Sequence, residues 1–114
     1  MEDIEIEKGI FLTGEGLAVF KSIGVAVAAD LHIGFEEAMG QSLARIQTRR
    51  MLSKCISVLG RFGIKEIVLN GDLKYSFGKK SKSEWEEVKY FIRELSKKAK
   101  ILVVKGNHDF YIES

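Results

Sequence analysis

Apolar and polar positions alternate in three different rhythms along this chain. Ile10-Phe11-Leu12 and Leu17-Ala18-Val19-Phe20 flank Thr13-Gly14-Glu15-Gly16, which predicts a β-hairpin around a glycine-bearing turn. Val25-Ala26-Val27-Ala28-Ala29 is a continuous apolar run, the signature of a strand covered on both faces in a parallel sheet. From about Leu43 to Phe62 the period lengthens. Leu52, Cys55, Ile56, Leu59 and Phe62 follow helical spacing, with Arg49, Arg50, Lys54 and Arg61 on the outer face and Gly63 as a left-handed stop. Ile64 to Leu69 reads as a second buried strand. A helix opening near Ser83 follows, with Glu86 placed to complete a capping box and Val88, Phe91, Ile92 and Leu95 as its apolar stripe. Ile101-Leu102-Val103-Val104 is the third strand. The order is hairpin, then βαβαβ, which implies an α/β fold with a mainly parallel sheet and right-handed crossovers.

Each of the three apolar strands runs into polar residues: Asp30-Leu31-His32, Gly71-Asp72, and Gly106-Asn107-His108-Asp109. In an open α/β sheet the carboxyl ends of parallel strands lie side by side, and ligands bind in the crevice beyond them. Asp30, His32, Asp72, Asn107, His108 and Asp109 are therefore expected to converge from distant parts of the chain. All are oxygen or imidazole donors, a set suited to Mn²⁺, Fe²⁺ or Zn²⁺. A carboxylate such as Asp72 has two oxygens and can bridge two cations about 4 Å apart. The amide of Asn107 adds a ligand oxygen without adding charge.

Composition narrows the setting. The 114 residues make one domain at most, and 46% hydrophobic with 30% charged residues is ordinary for a folded chain. A net charge of +2 is too small to argue for nucleic acid by itself. One cysteine, Cys55, excludes an internal disulfide and fits a reducing compartment. No run approaches the length of a membrane span, and the acidic Met1–Glu5 start is unlike a secretory signal, so the expectation is a cytoplasmic protein without membrane contact.

The three motifs, in this order and each after a strand, resemble the first signatures of the calcineurin-like metallophosphoesterases, D-x-H, G-D and G-N-H-D. The wording of Ala29-Asp30-Leu31-His32-Ile33-Gly34-Phe35-Glu36 and Asn70-Gly71-Asp72-Leu73-Lys74 is most similar to the archaeal phosphoesterase branch. That branch is related to the nuclease subunit of double-strand-break repair complexes and to ligase-associated phosphoesterases. The resemblance implies that residues 1–114 form the N-terminal half of a metallophosphoesterase αββα sandwich. It further implies a dinuclear divalent metal centre, most often manganese, that hydrolyses a phosphate mono- or diester, with nucleic acid or nucleotide as a candidate substrate. Asp30 and His32 would bind the first ion, Asp72 would bridge, and Asn107 would bind the second. His108 would face the phosphate and protonate the leaving oxygen, and Asp109 would orient His108 by accepting its other N–H.

The family's remaining ligands are histidines beyond G-N-H-D, whereas this sequence runs five residues from Asp109 to Ser114 and contains no third histidine. The expectation is thus a truncated site with four of seven ligand positions. A sheet face without the family's second layer would require a complementing chain or a second copy as cover. Two rivals stand beside hydrolysis: a non-catalytic protein that binds a metal or partner, and a nucleic-acid-binding module. For the latter, Arg45, Arg49, Arg50 and the Lys79–Lys82 run are the candidate grips, against the plainer reading of charged solvated surfaces. Cys55 falls within an apolar stripe and is expected to be an inert buried thiol.

Overall fold

The structure, a computed structural model, describes residues 2–29, 41–70 and 82–104, except for the side chains of residues 41–44 and 82–85. Six strands form one sheet in chain order: β1 (Ile4–Glu7), β2 (Ile10–Leu12), β3 (Ala18–Phe20), β4 (Val25–Ala29), β5 (Glu66–Asn70) and β6 (Lys100–Val104). The first three pairings are antiparallel, and β4–β5 and β5–β6 are parallel. Helix α1 (Gln41–Phe62) connects β4 to β5, and α2 (Lys82–Ser96) connects β5 to β6. This is the mixed α/β arrangement that the hydrophobic rhythm predicts. Strand β1 is an addition. Its Ile4-Glu5-Ile6-Glu7 alternation is short, and a bulge between Glu5 and Glu7 interrupts its pairing with β2.

The local causes are visible in the turns. Between β2 and β3, the Thr13 N–H donates to the Leu17 carbonyl at 2.8 Å, and the Thr13 hydroxyl accepts from the Leu17 N–H at 3.0 Å. Gly16 completes that turn at φ 94°, a conformation that costs other residues strain. Gly63 ends α1 at φ 66°, and the Ile64 N–H returns to the Leu59 carbonyl at 2.9 Å, the longer bond of a Schellman stop. Ile64 therefore belongs to the helix stop rather than to the following strand, and β5 begins two residues later than its apolar pattern suggests. Helix α2 begins at Lys82, so Ser83 falls inside it rather than at the cap position expected of it.

Both helices pack on one sheet face. Val19, Ala26, Ala28, Ile67 and Leu69 point into that layer and meet Leu52, Cys55, Val58, Leu59, Val88, Phe91 and Leu95. Phe11 joins through Phe62, their ring centroids 5.2 Å apart. Fully burying side chains of this size contributes about 1.5–3 kcal/mol each relative to exposure. The register assigns Ile4, Leu12, Val25, Val27, Val68, Leu102 and Val104 to the opposite face. There Ile4, Leu12, Leu102 and Val104 are roughly half exposed.

Arg61 ties the N-terminal strands to the helix layer. Its guanidinium reaches Asp3 at 2.9 Å and Glu15 at 2.7 Å, and also donates to the Ser57 hydroxyl. The same guanidinium holds the Asp3 and Glu15 carboxyls below their ordinary values of 3.8 and 4.5.

Candidate metal centre at the strand ends

Pairing in β4, β5 and β6 places Ala29 beside Asn70 and Asn70 beside Val104. Neighbouring strands lie about 4.8 Å apart, so these three residues form a short row at the carboxyl edge of the parallel strands. The next residues in sequence are the three motifs. Asp30, His32, Asp72, Asn107, His108 and Asp109 themselves lie outside the described residues. Covalent geometry still bounds their reach: at no more than about 3.6 Å per residue, Asp30 starts one step from the row, Asp72 two and Asn107 three. The backbone scaffold required for convergence is thus in place. Among the described residues, no group of His, Cys, Asp and Glu side chains could hold a metal.

The same edge carries an electrostatic bias toward anions such as a phosphate group. A helix connecting two parallel strands returns antiparallel to them, so α1 and α2 both start at the strands' carboxyl ends. Helix N-termini carry partial positive charge and stabilise anions. No acidic residue in the first turn of α1 offsets that charge. The donor set also suits divalent cations, since two carboxylates, an imidazole and an amide oxygen match borderline-to-hard ions.

A model of the calcineurin-like phosphoesterase family matches residues 23–114. The chain belongs to that family. The match begins just before β4 and contains all three motifs, so the family's general chemistry, metal-dependent hydrolysis of phosphate esters, applies to this domain type. No curated protein and no solved structure matches the chain.

Other residues singled out by sequence take plainer places. Cys55 is fully buried in the helix layer, and loss of solvation pushes its thiol up to about 12, so it is an inert core group. Lys74, beside the second motif, and Lys79 of the basic run lie outside the described residues. An open cavity of about 300 Å³ between Ile56, Leu59, Gly63, Ile64, Lys65 and Lys98 sits where α1 ends. That is the opposite end of the sheet from the motifs, so it takes no part in this site. Among the described residues, no helix is long and apolar enough to cross a membrane.

One contact was not apparent from sequence. Arg49 of α1 lies over the Tyr90 ring of α2, 5.2 Å from its centroid, and its Nε donates to the Tyr90 hydroxyl at 3.5 Å. Sequence could have hinted at it through Tyr90, an aromatic between Lys89 and Arg93 at the border of the polar face. Which residue of α1 it would meet depends on how the two helices pack.

Proposed function

We propose that this chain provides the first ligand set of a dinuclear metal centre that hydrolyses a phosphate ester, with a nucleotide or nucleic acid as the substrate class. One observation carries this reading: the register that aligns Ala29, Asn70 and Val104 immediately before the three donor motifs. In the proposal Asp30 and His32 would hold one divalent ion, Asn107 would hold the other, and Asp72 would serve both. Manganese is the expected metal, with Fe²⁺ or Zn²⁺ as chemically suited substitutes. Such ions, when bound, would supply Lewis-acid polarisation of the phosphate and activation of water. His108 stands outside the ligand set and donates a proton to the departing oxygen. Asp109 accepts the other imidazole N–H, which selects the tautomer and orients the ring. The single buried Cys55 and the expected cytoplasmic setting are compatible with a reduced thiol that plays no part in the chemistry.

A second reading is favoured by the half-exposed Ile4, Leu12, Leu102 and Val104 on the outer sheet face. In it the chain binds a metal or a complementing chain, which can be a second copy, without turnover of its own. The test is hydrolysis of an aryl phosphodiester with added Mn²⁺. Turnover that Asp72→Ala abolishes supports the enzyme. Absence of turnover with every divalent ion, together with Mn²⁺ binding that Asp30→Ala removes, replaces it with the second reading.

A further inference from the structure

We infer that the helix layer carries a separate anion-binding surface, in which Arg49 and Arg93, gathered on Tyr90, grip the phosphodiester backbone of a nucleic acid. Arg49 and Arg93 lie 5.2 and 6.0 Å from the centroid of the same ring. Among the described residues, no carboxylate forms an ion pair with Arg49, although Glu87 lies near enough to favour its charge. Arg93 meets Glu94 only at 3.7 Å, while Lys97 holds that carboxylate more closely, at 3.1 Å. Two guanidinium groups are therefore brought together on one ring, each with a carboxylate nearby that does not close on it as Asp3 and Glu15 close on Arg61.

Arg61 on the same helix provides the contrast. There two carboxylates close on the guanidinium, as a purely structural arginine requires. At Tyr90 the ring instead lies beside both guanidinium groups, and its hydroxyl engages the Arg49 Nε; the further N–H groups of a guanidinium suit forked binding of phosphate oxygens. Arg45 lies one helical turn before Arg49, and Lys89 lies one turn before Arg93. Both are exposed, and Arg45 is without an ion pair among the described residues. Arg45 continues the row of Arg49 on α1, and Glu86, Glu87 and Glu94 are the opposing charges on α2. Arg45 and Arg49 belong to the first half of α1, toward the sheet edge that precedes the metal-binding motifs. A bound strand could thus extend from that edge; this deepening of the substrate class rests on the hydrolase reading, whereas binding itself does not.

The test is anisotropy of a labelled single-stranded oligonucleotide with the full chain in excess chelator, across a salt series. Wild-type binding should weaken as salt rises. Arg49→Gln/Arg93→Gln should weaken binding about tenfold at low salt and reduce the slope of log K against log salt by about 1.4, or about 0.7 for each lost phosphate contact. Arg49→Lys/Arg93→Lys should retain most of the slope, and Lys65→Gln/Lys98→Gln, at the far end of the layer, should bind as wild type. Circular dichroism and thermal melting of the Gln pair establish that the fold survives. An unchanged slope in that variant, no salt-sensitive binding by wild type, or equal competition by polyglutamate would each overturn the inference. Because metal is absent from this assay, its failure leaves the hydrolase reading standing. Conversely, Asp72→Ala should retain oligonucleotide binding whatever happens to hydrolysis.

Discussion

The two faces of the sheet use similar residues to different ends. On the helix side, Val19, Ala26, Ile67 and Leu69 are fully buried beneath α1 and α2. On the other side, Leu12, Leu102 and Val104 are of the same chemical type but remain about half exposed. Hydrophobicity alone therefore says that a position is suited to burial. Whether it contributes burial energy depends on the presence of a covering layer. The sequence pattern shows this too: the β4 run is apolar at every position, as expected of a strand designed for two covers, but only Ala26 and Ala28 lie under helices.

The largest loss of stability is expected when a side chain is removed from the covered layer. Phe91→Ala should cost about 3–5 kcal/mol in urea unfolding, because Phe91 is fully buried and its cavity has little freedom to collapse. Cys55 reports on the same layer without a mutation. Its reaction with a thiol reagent should be about a thousandfold slower in the native protein than in denaturant, since access requires opening of the core. Rapid native labelling would show that the helix layer is loose.

On the open face, Leu102→Ala should cost about 1 kcal/mol or less, since much of that side chain is already in water. Leu102→Lys sharpens the point. It should reduce self-association in concentration-dependent light scattering while leaving the melting temperature close to wild type, as expected if this face seats a second layer. Unchanged scattering would detach the open face from association.

The smallest expected effect concerns Arg61. Arg61→Ala should cost within about 1 kcal/mol near neutral pH, because its partners are solvent-accessible. Asp3 and Glu15 have depressed folded-state values, so their contribution is present above the ordinary carboxylate range and is lost as pH falls through the folded values. The stability gap between wild type and Arg61→Ala should therefore stay level above about pH 5 and close on further acidification. A gap that widens in acid would contradict the assigned ion pairs.

Much of the fold was legible because it rests on local signals. The 10–12 and 18–20 hairpin, the β4 run, the stripe of α1 and the Gly63 stop each depend on residues close in sequence. Ile64 misled because an apolar residue that closes a helix is indistinguishable by type from one that opens a strand. Strand β1 escaped because its Ile–Glu alternation is short and bulged. The Arg61 clamp and the Arg49–Tyr90 stack join residues more than forty positions apart, so helix periodicity cannot pair them. The motif residues were legible as a family pattern, and their own arrangement lies outside the described residues. What the structure adds is the row of strand ends from which they depart.

Calorimetric titration of the wild type, Asp30→Ala and Asp72→Ala with Mn²⁺ decides whether the strand-end motifs share a metal centre. Two binding events are expected in wild type, loss of one in Asp30→Ala, and weakening of both in Asp72→Ala if its carboxylate serves both ions. If Asp72→Ala bound Mn²⁺ with the wild-type stoichiometry and affinity, the strand-end motifs would not share a metal centre.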